Sequence, residues 1–163
     1  MIVRTDYDNR TEYRLNGVLH RTDGPALSRE YAAGCIEQMY YQNGKLHRED
    51  GPALIDQGIS EWWLRWYLNG KLHRVGAAAV MDSDGNAGWY LNGKLHREDG
   101  PAFIDEYGDS TWFLNGKCHR IDAPAVEYAD GSVEWWLNDQ EVTAEDVLGD
   151  IEAMWWNLQN VVA

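Results

Sequence analysis

The stretch Trp89-Tyr90-Leu91-Asn92-Gly93-Lys94-Leu95-His96-Arg97-Glu98-Asp99-Gly100-Pro101-Ala102 decides the fold. Asn-Gly between apolar residues is the strongest short-range hairpin signal, because both central residues of a type I′ turn need φ > 0. A two-residue loop also fixes the pairing. Leu91 faces Lys94, Tyr90 faces Leu95 and Trp89 faces His96. Strand alternation then puts Trp89, Leu91, Lys94 and His96 on one face, and Tyr90 and Leu95 on the other.

Versions of this stretch recur along most of the chain. The turn asparagines are Asn16, Asn43, Asn69, Asn92, Asn115 and Asn138, at intervals of 27, 26, 23, 23 and 23 residues. Three residues before each turn stand Tyr13, Tyr40, Trp66, Trp89, Trp112 and Trp135. All five histidines follow a turn, each ahead of an arginine: His20, His47, His73, His96 and His119. Cross-strand aromatic pairs contribute about 0.2–1 kcal/mol each, so the repeat predicts ladders of Trp and of Tyr along a sheet.

After His96-Arg97, the run Glu98-Asp99-Gly100-Pro101 reads as a bend or bulge, since proline has no N–H for a central strand. A short apolar piece and a second turn follow, at Ala33-Gly34, Gln57-Gly58, Asp84-Gly85, Tyr107-Gly108-Asp109 and Asp130-Gly131. The fold class is therefore mostly β, an antiparallel meander of hairpin repeats about 23 residues long. The sheet is either a single layer or curled, and neighbouring units bury each other's faces.

Gly88-Trp89-Tyr90-Leu91-Asn92-Gly93-Lys94-Leu95-His96 resembles a MORN-type repeat, a hairpin unit with an aromatic strand, an Asn-Gly-Lys turn and a following histidine. The likeness covers about residues 5–140. Where a MORN unit continues with Gly-x-Gly, this chain has Arg-Glu-Asp-Gly-Pro-Ala, as in MORN-like repeats of phage and giant-virus proteins. The resemblance implies an elongated β-repeat scaffold with a binding role. The lipid-binding and dimerisation roles attached to ordinary MORN arrays do not carry over onto these residues.

The expected organisation is one domain in three parts: an N-terminal arm (1–15), the repeats (16–138) and an acidic cap (139–163). In the arm, Asp8-Asn9 turns a hairpin from Ile2-Val3 back into Tyr13-Arg14-Leu15. The Gly34–Gln42 and Gly58–Leu68 stretches carry insertions, which predict bulges or longer loops. The second adds Trp62 and Trp63 ahead of Trp66. Unit three is eroded to Val75-Gly76-Ala77-Ala78-Ala79, and Asn138-Asp139 spoils the last Asn-Gly turn. Thr143 then reads as an N-cap with Glu145 and Asp146 in the first turn. Val147, Ile151, Met154, Leu158 and Val161 recur at helical spacing, so 144–161 reads as one amphipathic helix closing the meander. Trp155 and Val162 flank that stripe. Trp156 falls on the opposite, polar face, either against the last hairpin or free for a partner.

Composition and charge narrow the function. The formal charge is −13, which argues against direct binding to nucleic acid or to anionic membranes. Residues 1–29 are slightly positive, while 139–163 carry six carboxylates and no Lys or Arg. No apolar run approaches 18 residues and no signal segment opens the chain, so the expectation is a soluble, cytoplasmic protein. Cys35 and Cys118 sit at unrelated repeat positions and read as free thiols.

Five histidines at one repeat position invite a metal reading, and geometry opposes it. Equivalent positions two strands apart are about 10 Å apart, whereas zinc ligands converge to about 2 Å from one centre. The histidines are expected to stack on the aromatics and hydrogen-bond near the bend. Asp23, Asp50, Asp99 and Asp122 are expected to accept backbone N–H groups in that bend. A residue present in every unit serves the unit, so Asn92, Gly93, His96, Asp99, Trp66, Trp89 and Trp112 are structural. No catalytic residue, metal site or cofactor is expected.

The reading that follows is a non-catalytic protein-binding module for a partner with a basic surface. Trp156, Asp150, Glu152, Asp146 and Glu145 are candidate contacts, with Trp62 and Trp63 a second patch. The resemblance implies a phage or viral inhibitor of a host defence protein, acting through the acidic surface and, in its narrower form, by nucleic-acid mimicry. The alternatives are a self-assembling scaffold, which includes a homodimer, and an aromatic-groove binder of small molecules or lipids near Trp62, Trp63 and Trp66.

Overall fold

Each repeat changes ladder at its aromatic residue. In the computed structural model, the Trp66 N–H donates to the Ala79 carbonyl at 2.8 Å, while the Trp66 carbonyl accepts from His73 N–H at 3.0 Å. Tyr40 bridges Ala53 and His47 in the same way, and Trp112 bridges Ala125 and His119. The residues before the aromatic belong to a main sheet and those after it to a small hairpin. Four of the Asn-Gly hairpins are therefore separate two-stranded ladders, such as Tyr67–Leu68 with Lys71–Leu72 and Phe113–Leu114 with Lys117–Cys118, while Val18–Leu19 after Asn16-Gly17 stays on the main sheet. Their register, Tyr67 opposite Leu72 and Leu68 opposite Lys71, is that of a two-residue loop.

The structure describes residues 1–31 and 34–160, without the side chains of 150, 151, 153, 154 and 160. The chain divides into two compact units, Met1–Lys94 and Leu95–Ala163. In the first, the main-sheet order is Ile2–Asp6, Arg10–Leu15, Leu27–Glu30, Ile36–Met39, Leu54–Gln57, Trp62–Arg65, Val80–Asp82 and Ala87–Gly88. In the second it is Phe103–Ile104, Ser110–Thr111, Val126–Glu127, Val133–Leu137 and Gln140–Val142. Neighbours follow sequence order and run antiparallel, so either unit is a meander, and the sheet is uncurled. The opening hairpin forms as expected, with Ile2 opposite Leu15 and the Tyr7 N–H closing the turn on the Arg10 carbonyl at 2.7 Å.

The inserted residues lengthen the strands instead of bulging them. Leu54–Gln57 pairs with Trp62–Arg65 without interruption, from Leu54–Arg65 to Gln57–Trp62, and Leu27–Glu30 pairs with Ile36–Met39 equally cleanly. Strand pairs of two residues, such as Phe103–Ile104 with Ser110–Thr111, serve the shorter repeats. Alternation is preserved when both arms grow together, so no residue needs to leave the ladder.

The last turn also survives its sequence. Asn138 and Asp139 take φ 53° and 67°, beside 51–55° at the other turn asparagines. Trp135 to Leu137 pairs with Gln140 to Val142 across it. The Asp139 carboxylate accepts the Cys118 N–H at 2.8 Å, which holds a non-glycine residue in the left-handed region.

The core is a set of small residues. Ala26, Ala53, Ala79, Ala102 and Ala125 are fully buried, one after each bend, and Leu27, Val126 and Trp135 are nearly so. Pro124 is fully buried as well. Glu12 is the one buried charged side chain among the described residues, and it pairs with Arg10 and Arg14 at 3.3 and 2.9 Å.

The C-terminal helix is two helices, α1 (Ala144–Leu148) and α2 (Asp150–Asn160). Thr143 caps α1 in a capping box: its hydroxyl accepts the Asp146 N–H, and the Asp146 carboxylate accepts the Thr143 N–H at 2.8 Å. Gly149 ends α1 at φ 75°, ψ 161° and resets the helical phase. A single wheel through 144–161 therefore fails beyond Gly149.

Candidate functional site

The repeated His side chains bind successive repeats to one another, while the Arg and Asp side chains close each repeat on itself. In every pair of successive repeats, the turn asparagine N–H donates to the preceding histidine Nδ1. Asn43 meets His20 at 3.0 Å, Asn69 meets His47 at 3.2 Å, and Asn92 meets His73 at 3.1 Å. Asn115 meets His96 at 3.1 Å and Asn138 meets His119 at 3.2 Å. The histidines thus reach the next turn, not the bend where the spacing argument put them. The ladder pleats each histidine toward the following hairpin, and an unprotonated Nδ1 is the acceptor that the turn N–H needs. Backbone bonds complete the joint: Gly70 N–H to Leu46 O and Arg48 N–H to Tyr67 O, at 2.7 and 3.0 Å.

Arginine covers the aromatic faces. The guanidinium of Arg21 lies 4.0 Å from the ring centre of Tyr13, and that of Arg48 lies 4.0 Å from Tyr40. Arg74 lies 3.9 Å from Trp66 and Arg120 lies 4.1 Å from Trp112. Such contacts are worth about 0.5–1 kcal/mol at exposed sites. Each guanidinium then turns into its own bend. Arg48 donates to the Asp50 carboxylate at 2.8 Å and to the Pro52 carbonyl at 3.3 Å, and Arg97 does the same with Asp99 and Pro101. The bend aspartates therefore accept from arginine side chains, which corrects the backbone N–H assignment. The arginine is the stronger donor because the bond is charge-assisted. At Gly51 and Gly100 a Cβ would stand 2.8 Å from this guanidinium. Ala77 and Ala123 fill the same position in the third and fifth repeats, so the arginine end can shift.

The hydrogen bond from arginine, and then its charge, hold Asp23, Asp50 and Asp99 below the usual carboxylate range. A depressed folded-state value means stability that is present above the unfolded value of about 4 and lost as pH falls through the folded one. The bends are thus expected to loosen in acid below about pH 4. Urea midpoints of the wild type and of D50N/D99N, measured from pH 6 to pH 2, check this. The two curves should differ at pH 6 and converge at pH 2, and parallel curves would refute the assignment.

The proposed contact residues separate. Trp156 is half-buried, its ring meeting Trp135 edge-on at 5.2 Å and 75°. It takes the inward side of α2, while Trp155 and Leu158 are 58% and 61% exposed. The Trp135 contact is the first of the two alternatives, Trp156 packed on the last hairpin, whereas Leu158, read in the apolar stripe, stands exposed. Asp146 is spent in the capping box, Glu145 and Glu152 are exposed, and the Asp150 side chain lies outside the described residues, as do those of Ile151 and Met154. Val161 and Val162 lie outside as well. Trp62 and Trp63 are successive residues of one strand and face opposite sides of the sheet, so the two do not line one groove.

Both cysteines are free. Burial, with Asp139 and Glu134 adding to it, pushes the Cys118 thiol up to about 11, so it is not a ready thiolate at neutral pH. Among the described residues no three His, Cys, Asp or Glu side chains gather as metal ligands, and no helix is long and apolar enough to cross a membrane. No family model matches the chain, and no curated protein matches it.

Proposed function

We propose that this chain is a non-catalytic binding module that docks its acidic C-terminal segment on a protein partner with a basic surface. One observation carries the reading: Trp155 and Leu158 stand exposed three residues apart on α2, Trp155 a helical turn from the exposed Glu152, with Glu145 exposed on α1. A pair at i and i+3 is the anchor pattern of a helix laid in a groove, and the surrounding charge speeds and orients docking to a basic rim. Trp155 replaces Trp156 as the aromatic anchor. The resemblance to phage and giant-virus repeat proteins makes a host factor the partner to test first. A nucleic-acid-binding one fits the narrower reading in which carboxylates stand in for phosphates.

Capture from host lysate on the immobilised chain tests this, using the wild type, W155A/L158A and E145K/E152K. Both variants should lose a partner that the wild type retains, and that partner should be released by salt and by DNA. A partner retained by both variants ends the helix-docking reading, and release by salt without competition by DNA ends mimicry alone.

A second reading is self-association. Among the described residues, the strand Ile2–Asp6 pairs on one side only, with Arg10–Leu15, and Val3 and Tyr7 beside that edge are 58% and 50% exposed. Such an edge is a template for another strand. A constant mass in light scattering over a hundredfold range of concentration would remove it.

A further inference from the structure

The open edge of Ile2–Asp6 carries a pattern that chooses its partner. The Tyr7 N–H donates to the Arg10 carbonyl at 2.7 Å, and bonded and unbonded pairs alternate from there along the hairpin. Val3 and Thr5 therefore spend their backbone groups on Arg14 and Glu12. Arg4 stands opposite Tyr13, whose N–H donates to Ala26 and whose carbonyl accepts from His20, both away from Arg4. The N–H and carbonyl groups of Arg4 and Asp6 accordingly point out of the sheet edge. Proline, a bulge or a repelling charge protects most such edges. This strand has no proline and pairs with Arg10–Leu15 without a bulge. Its two charges are of opposite sign, with Arg4 donating to Asp6 at 3.0 Å along the strand, and both side chains are more than half exposed.

Charge then selects the register. Only even-numbered positions offer free backbone groups, so a second copy running antiparallel must set even residues opposite even ones. Centring the pair on Arg4 puts guanidinium against guanidinium, and centring it on Asp6 puts carboxylate against carboxylate. Like charges directly opposite are destabilising. Centring it on Thr5 puts Arg4 opposite Asp6 at both ends of the pair. On the other face, the same register puts the exposed Val3 opposite the exposed Tyr7. These are unbonded pairs, whose side chains lie closest, with Cα atoms about 4.5 Å apart. Resting on the self-association reading above, we propose that the chain forms a two-fold dimer in which two Ile2–Asp6 strands pair antiparallel about Thr5. Each Arg4 exchanges backbone bonds with Asp6 of the second copy and faces its carboxylate. The occupant of the edge is a second copy, because the strand is complementary to itself in charge and in apolar contact, and a two-fold pair closes.

The test is sedimentation equilibrium of the full chain at low salt over a wide range of concentration. The wild type should pass from monomer to dimer and stop there. R4D and D6R should each weaken the dimer about tenfold, because either change sets like charges opposite one another twice. An equimolar mixture of R4D and D6R should restore it, and that rescue shows that both variants fold. The double swap R4D/D6R should dimerise as the wild type does. T5C should form a disulfide between copies several-fold faster than V3C or the wild type, since only Thr5 meets itself across the pair. A dimer indifferent to R4D and D6R, a mixture without rescue, or equal crosslinking by T5C and V3C would each overturn this pairing and leave self-association to another surface. A mass that grows past the dimer would overturn it as well. Monomer at every concentration would end the pairing and the self-association reading together. W155A/L158A should dimerise as the wild type does, so edge pairing and helix docking stand or fall separately.

Discussion

Trp135→Ala is expected to cost the second unit about 3–5 kcal/mol, seen as a fall in the urea midpoint. Trp135 is 7% exposed, the largest buried side chain among the described residues of that unit. It sits in Val133–Leu137, opposite Val142. Removing it leaves a cavity between that strand and α2, and it strips Trp156 of its edge-on partner. A unit of this size holds about 3–10 kcal/mol in all, so the variant is near unfolding. Trp156→Ala should cost less, about 1–2 kcal/mol, because its ring is only half-buried. The two losses should not add. Aromatic pairs couple by about 0.5–1.5 kcal/mol, and a double-mutant cycle reads that term directly. A coupling of zero would mean that α2 does not rest on Trp135 in solution, and the outward position of Trp155 would lose its support. Trp155→Ala, by contrast, should change stability by less than about 0.5 kcal/mol.

This pair of tryptophans marks where sequence reasoning ran out. The turn positions were legible because Asn-Gly leaves few backbone choices, and the register of each hairpin followed from loop length alone. The N-cap at Thr143 was legible for the same local reason. The partners of His47 and Asp50 were not. A hairpin drawn by itself shows which face a side chain takes, but the acceptor for the Asn69 N–H lies one repeat away. Only the stacking of successive hairpins, set by backbone bonds such as Gly70 N–H to Leu46 O, brings that histidine within reach. The C-terminal helix was legible only in part. A helical wheel assumes unbroken phase, and Gly149 breaks it between Val147 and α2. Within α2, Leu158 shares a stripe with Ile151 and Met154 by spacing, yet it is exposed. The fully buried alanines carried no signal at all, since alanine is neither an aromatic anchor nor a turn former.

Those alanines support the second large effect. Ala53→Leu is expected to destabilise the first unit by about 1–3 kcal/mol, the usual cost of overpacking a closed site. Ala53 has no exposed surface. Its N–H donates to the Arg65 carbonyl at 2.9 Å, and its carbonyl accepts from the Tyr40 N–H at 2.8 Å. Both backbone groups are thus tied to neighbouring strands, so the residue cannot move out to make room. Its position repeats as Ala26 and Ala79 in the same unit, and the same backbone pair recurs there, Ala26 with Met39 and Tyr13, Ala79 with Gly88 and Trp66. A larger side chain must push one repeat from the next and stretch the histidine and backbone bonds that join them. The opposite change is costly too. Ala53→Gly gives up a buried methyl, about 0.8 kcal/mol, and adds backbone entropy of about 0.5–1 kcal/mol. Stability should therefore fall on both sides of alanine, read as urea midpoints by circular dichroism. Ala129→Leu, at an exposed turn position, should be neutral within about 0.5 kcal/mol. If leucine were tolerated at 53 as it is at 129, the buried column would not be what sets the spacing of the bends.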